Sequence, residues 1–259
     1  FLFDREAMLI ASNDPVQLAW SGHTARADGV ELQLGGPHAP EPVGLPAGPV
    51  RAVRLLRDIE LEMALPNRTG GDDQTDRSRP WRIECDGPMV VDPVKLVATL
   101  SRTVRVHRPA EKGGWDSLEC QQLALRFRRR GGVAAGKVRQ PGQVGTEALE
   151  FVQFEASGAP VQIGSVANDL EARARWLAYR ANGGSIELQG DVAVRWERGR
   201  LASQHVLLSR GKDGRIERAL CRGAGTMNWQ QPGTPPVPAS AGWSRRMTLS
   251  PEPGTDRDL

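Results

Sequence analysis

Residues Gly183 to Arg210 read GGSIELQGDVAVRWERGRLASQHVLLSR. Ile186, Leu188, Val192, Val194 and Trp196 fall at alternate positions, with Gly190 among them. Ser185, Glu187, Gln189, Asp191, Arg195 and Glu197 fall between, interrupted only by Ala193. Successive Cβ atoms of a strand point to opposite sides of the pleat, so this period of two gives one dry face and one wet face; a helix would scatter the same residues around its axis. Glu197-Arg198-Gly199-Arg200 then supplies a glycine-containing turn, and Leu201 to Leu208 returns as a second, less regular strand. The stretch predicts a β-hairpin.

The rest of the chain agrees in character. Aromatic residues make up only 5% of the 259 residues, whereas there are 29 glycines and 19 prolines. That composition favours many strands joined by turns, hence an all-β protein. Net charge is +3, and the one dense basic run, Arg126-Phe127-Arg128-Arg129-Arg130, lacks the interleaved aromatics of a nucleic-acid module, so it reads as a solvated edge and no nucleic-acid partner is expected. No apolar run approaches the ~18 residues of a membrane-spanning helix. The opening at Phe1, without a methionine or signal-like segment, reads as a processed or excised piece. Cys85, Cys120 and Cys221 are odd in number and lack metal-ligand spacing, which favours small buried residues over a Cys85–Cys120 disulfide.

Internal repeats organise the chain. Val53 to Leu61, Ala98 to Val106 and Ile186 to Val194 align, each with apolar residues at alternate positions interrupted once, by Arg57, Arg102 or Gly190. Asp116 to Leu125 resembles Gly199 to Leu208, and Ala27 to Leu34 is a shorter version. Cys85-Asp86-Gly87, Ala156-Ser157-Gly158 and Cys221-Arg222-Gly223 recur at matching places, where glycine would let a strand turn or bulge at a sheet corner. The expected units are 1–75, 76–145 and 146–235, with 236–259 as the truncated start of another, opened by Met247-Thr248-Leu249. Gly35 to Gly48, Gly70 to Pro80, Gly131 to Gly145 and Gln230 to Ala241 read as loops. Asp169 to Tyr179 reads as strand, because Leu170, Ala172, Ala174 and Trp176 alternate.

Catalytic and metal chemistry finds little footing. Gly131 to Val138 imitates a phosphate-binding loop, but Val138 stands where a magnesium-holding Ser or Thr is needed and Pro141 stops the helix that should follow. His23, His38, His107 and His205 share no ligand spacing. Asp72, Asp73 and Asp76 miss the calcium-hand pattern, Asn67-Arg68-Thr69 is a bare sequon, and no nucleophile elbow occurs. No cofactor, metal or catalytic residue is expected.

The segment Ala156 to Met227 carries Leu170-Glu171-Ala172, Trp176-Leu177-Ala178-Tyr179, Ile186 to Val194, Leu201-Ala202-Ser203 and Gly214-Arg215-Ile216 leading to Gly223. In this pattern it resembles the OstA-like family, which includes the periplasmic bridge proteins of lipopolysaccharide transport and the periplasmic domain of the outer-membrane translocon. Trp81 to Phe127 resembles a diverged unit of the same kind. The resemblance implies a β-jelly roll or taco-like stack of antiparallel hairpins, a periplasmic or cell-envelope setting, and acyl chains carried along an apolar groove. On this expectation Ile59, Leu61, Leu100, Val104, Val106, Leu188, Val192 and Val194 line the interior and bind a lipid or lipopolysaccharide-like amphiphile without enzymatic chemistry. The rival expectation is an envelope scaffold that joins other β-jelly-roll proteins by pairing its edge strands.

Overall fold

A computed structural model describes residues 2–4, 8–20, 23–35, 50–63, 80–109, 115–129, 149–166, 169–181, 184–210, 216–231 and 235–250. The first four strands are β1 (Leu2–Asp4), β2 (Leu9–Trp20), β3 (His23–Leu34) and β4 (Val50–Met63). The middle of the chain forms β5 (Trp81–Cys85), β6 (Met89–Asp92), β7 (Val97–Pro109), β8 (Trp115–Arg129) and β9 (Leu149–Ser165). The quoted hairpin follows β10 (Leu170–Arg180) as β11 (Ser185–Trp196) and β12 (Gly199–Arg210), and the chain continues through β13 (Ile216–Gln231), β14 (Val237–Trp243) and β15 (Arg246–Leu249).

All fifteen strands belong to one antiparallel sheet in which sequence neighbours are sheet neighbours. The expected all-β, taco-like hairpin stack is what the chain adopts. β5 and β6 both pair with β4 and β7, and β14 and β15 both pair with β13, so each couple shares one lane of a thirteen-lane sheet. Pairing runs unbroken from one expected unit into the next, β4 to β5 and β8 to β9 included.

A crease crosses the sheet midway along the long strands. On β4, β7 and β11 the chain leaves a buried residue, crosses three positions and re-enters the interior: Leu55 to Ile59, Leu100 to Val104, Leu188 to Val192. On β8, β10 and β12 it crosses in two, from Cys120 to Leu123, Ala174 to Leu177 and Ser203 to Val206. Hydrogen-bond register shifts at these crossings, as in a β-bulge. Gly190 sits in one crossing with φ 77° and its equivalent Arg102 has φ 74°, a left-handed conformation that glycine adopts without steric cost. Arg57 and Arg102, which interrupt the dry face in sequence, are thereby turned into solvent. The small-x-Gly motifs ending at Gly87, Gly158 and Gly223 also lie on the crease.

The crease divides the sheet into two arms, one holding β5 and β14, the other β6 and β15. Trp81 on the first arm and Phe154 on the second have ring centroids 6.0 Å apart. Laid flat, at about 3.3 Å per residue and 4.8 Å per strand, the two would stand more than about 25 Å apart. Their contact therefore requires the arms to close face to face over the core. Outward faces carry cross-strand ion pairs such as Glu31–Arg54, Arg105–Glu119, Arg128–Glu150 and Glu171–Arg195. Each is exposed and adds little stability, but opposite charges facing across a pair support its register.

Three sequence expectations change. β14 occupies part of the expected Gln230 to Ala241 loop; its Ala239, Ala241 and Trp243 alternate weakly, and pairing with β13 decides the matter. Gly199 belongs to β12, leaving Glu197-Arg198 as a two-residue turn. Trp176 does not continue the interior set of Leu170, Ala172 and Ala174, because the two-residue crossing hands that role to Leu177. Met247 to Leu249 forms strand as expected.

Candidate functional site: the interior between the arms

Register assembles the interior into rows. Ile59, Cys85, Val104 and Cys120 are Cα partners in turn, forming the row beside the crease on the first arm, in which Val192 pairs with Ser203 further on. The next row outward joins Leu61, Ile83, Val106, Leu118, Ile163, Ala172, Val194 and Leu201. Across the crease, Leu55, Met89, Leu100, Leu123, Ala156, Leu177, Leu188 and Val206 form the facing row. All eight residues expected to line the interior are thus in it. Seven are buried, Leu100 and Val104 at 0% exposure, and Val194 is half-buried.

Sequence reasoning missed part of the lining. Ile83 and Leu118 of the first arm, beside the expected Val106, meet Leu123, Leu125 and Phe154 of the second around a void of only ≈ 10 Å³, about the space of one water. Phe151, Phe154 and Tyr179 cluster beside it with centroids 5.4 to 6.4 Å apart. Leu118 alternates with Cys120 and Leu123 with Leu125, but the two pairs are out of phase; the aromatic cluster had no local signal, because Phe151 and Phe154 are spaced by three. Around this void, among the described residues, the protein's own side chains fill the space between the arms.

The polar groups near this core are buried or held by protein partners. All three cysteines are free and buried. Cys85 and Cys120 flank Val104 from opposite sides, two lanes apart, beyond the ~7 Å Cα reach of a disulfide. Burial pushes the Cys120 thiol up to about 12 and raises Cys85 and Cys221 as well; Cys85 Sγ donates to the Ser101 carbonyl at 3.0 Å. On the outer face, burial alone would raise the Glu187 carboxyl, but hydrogen bonds from Gln189, Arg180 and His205 outweigh it and hold Glu187 below its ordinary value. Arg128 of the basic run is held by Glu150 through two hydrogen bonds of 2.9 and 3.0 Å, while Phe127 packs against Phe151. Among the described residues no three potential metal ligands converge. The Gly131 to Val138 loop, the sequon at Asn67, His38 and the Asp72, Asp73 and Asp76 group lie outside the described residues.

No family model matches the chain, and no curated protein matches it.

Proposed function

We propose that the chain is a non-enzymatic cell-envelope protein that takes the acyl part of a lipopolysaccharide-like amphiphile between its arms, in the manner of the OstA-like family that its sequence resembles. One observation carries this reading. Among the described residues every hydrogen-bonded strand pair joins lanes adjacent in the sheet, and no strand pairing joins lip to lip. Among the described residues the arms are thus covalently and hydrogen-bond continuous only at the crease. Parting them breaks side-chain contacts such as Trp81 with Phe154 and leaves each strand pair intact. Acyl chains entering there replace apolar contacts with apolar contacts, each Å² kept from water contributing roughly 25 cal/mol. The continuous rows, eight lanes at roughly 4.8 Å each, would offer an apolar path somewhat under about 40 Å long.

Photo-crosslinking tests it. Groups placed at the buried Val104 and Val192 should capture lipid, while groups at the outward Arg105 and Asp191 should not. Equal labelling at all four positions, or labelling only at the outward pair, would sink the proposal.

A second reading is favoured by the sheet margins. The β14–β15 lane has no partner on its outer side among the described residues, and β1 covers β2 only along Leu9 to Ala11. Such edges fit a scaffold that joins other β-proteins by augmentation. Native mass spectrometry separates the two: co-purifying lipid favours the first, and lipid-free protein-protein assemblies favour the second.

A further inference from the structure

Five of the seven tryptophans mark one edge of the sheet. Trp20 ends β2, Trp81 opens β5, Trp115 opens β8 and Trp196 ends β11, while Trp229 of β13 pairs with Gly199 and so stands level with Trp196. All five lie at the lip of the first arm, its margin farthest from the crease. No strand end at the lip of the second arm carries a tryptophan. Across the sheet the five occupy the second, fifth, seventh, tenth and twelfth of thirteen lanes, gaps of about 10–14 Å at roughly 4.8 Å per lane. The result is a spaced belt of indoles along a single margin.

Closing the arms on each other accounts for only part of this belt. Trp81 reaches Phe154 across the seam, but among the described residues the ring contacts of the second arm include neither Trp196 nor Trp229. A Cβ at Gly199 would stand 2.3 Å from the Trp196 ring, so that ring lies over its own hairpin partner at the lip. Both indoles are half-buried. Farther from the crease, where turns are ordinarily polar, Val166 after β9 is 70% exposed and Val237 at the start of β14 is 54% exposed. The charges beside them are paired, Arg195 with Glu171 at 2.7 Å and Arg198 with Glu197 at 3.7 Å. An indole settles between hydrocarbon and water because its ring is apolar and its N–H needs a polar partner. Paired charges of both signs suit a zwitterionic headgroup layer and need no net anionic surface. We infer that the lip of the first arm docks on a lipid bilayer, with Trp196 and Trp229 at headgroup depth and Val166 and Val237 reaching the acyl boundary. The docking goes beyond acyl binding between the arms and stands without it.

Flotation of the whole chain with phosphatidylcholine vesicles tests it. The protein should float at low and at high salt, since the docking is apolar rather than a screened charge attraction. Val166→Glu and Val237→Glu, both in exposed positions and so expected to leave the melting temperature unchanged, should each weaken binding about tenfold, what withdrawing one valine side chain from water is worth. Phosphatidylcholine brominated near the glycerol end of its chains should quench the tryptophan emission of the parent protein more than that of a Trp196→Phe, Trp229→Phe double variant. No flotation, flotation confined to phosphatidylglycerol vesicles and lost at high salt, or binding that survives both valine substitutions would overturn the inference. A protein that takes up monomeric fatty acid without floating would keep the acyl-binding reading and lose this one.

Discussion

If the arms part to admit lipid, weakening the seam between them should strengthen lipid binding while weakening the fold. Trp81→Ala is the cleanest perturbation. Trp81 touches Arg108 with a cation–π distance of 6.0 Å, but Arg108 lies on β7 of the same arm, so that contact does not hold the arms together. The contact with Phe154, edge-on at 66°, does. Such an aromatic pair contributes about 1 kcal/mol, and the apolar indole surface that the seam keeps from water adds roughly another 1 kcal/mol, what about 40 Å² contributes at 25 cal/mol per Å². Losing about 2 kcal/mol of closure raises the open fraction roughly 30-fold, and the apparent affinity of a ligand that binds only the open state rises by up to the same factor. Titration with a fluorescent fatty acid reads the affinity, and urea unfolding reads the accompanying loss of stability. Trp81→Phe, which keeps an aromatic contact, should fall between. Amide exchange in β5 and β9 should change little, because separating the arms breaks no ladder hydrogen bond. Unchanged or weaker fatty-acid binding by Trp81→Ala, at the expected loss of stability, would refute the opening of the arms as the route to the interior.

Opposite signs are expected at two equivalent crease positions: Gly190→Ala should cost about 1 kcal/mol, since left-handed alanine is strained by roughly 1–2 kcal/mol and only part is recovered from the unfolded chain, whereas Arg102→Gly should gain up to about 1 kcal/mol in urea midpoint measurements. Buried thiols with raised pKa, Cys120 at about 12, should resist a thiol reagent at pH 8 and react only as the protein unfolds, so fast native-state labelling would contradict their packing. Because Glu187 is held below its ordinary value of 4.5, the stability that it contributes is present above that pH and lost as pH falls through its lower folded value. Glu187→Gln should therefore flatten the slope of stability against pH below about 4.5, and an unchanged slope would show that its hydrogen bonds contribute nothing.

How well the sequence could be read depended on the crease. On β4, β7 and β11 the crossing takes three residues, so Leu55 and Ile59, Leu100 and Val104, and Leu188 and Val192 keep the same parity and the alternation passes through the fold unbroken. That is why those three segments aligned, and why the residues expected to line the interior all lie on them. On β8, β10 and β12 the crossing takes two residues and the parity flips, so Leu123, Leu177 and Val206 fall out of phase with Cys120, Ala174 and Ser203. β12 accordingly looked irregular, Trp176 looked inward, and the β8 lining was missed.

Strand character, the identity of the dry face and the glycine-marked corners were determined by sequence alone, because each depends on residues two to four positions apart: the pleat fixes which side chains share a face, and a left-handed φ favours glycine. What only the tertiary structure decided depends on residues far apart in the chain. β14 became strand because β13 offered it a hydrogen-bonding edge. Trp81 found Phe154, 73 positions later, because the creased sheet brought its arms together, and the space beside them closed to a void near 10 Å³ because side chains from both arms met there. Packing across a fold is a property of two distant segments at once, and no local period records it.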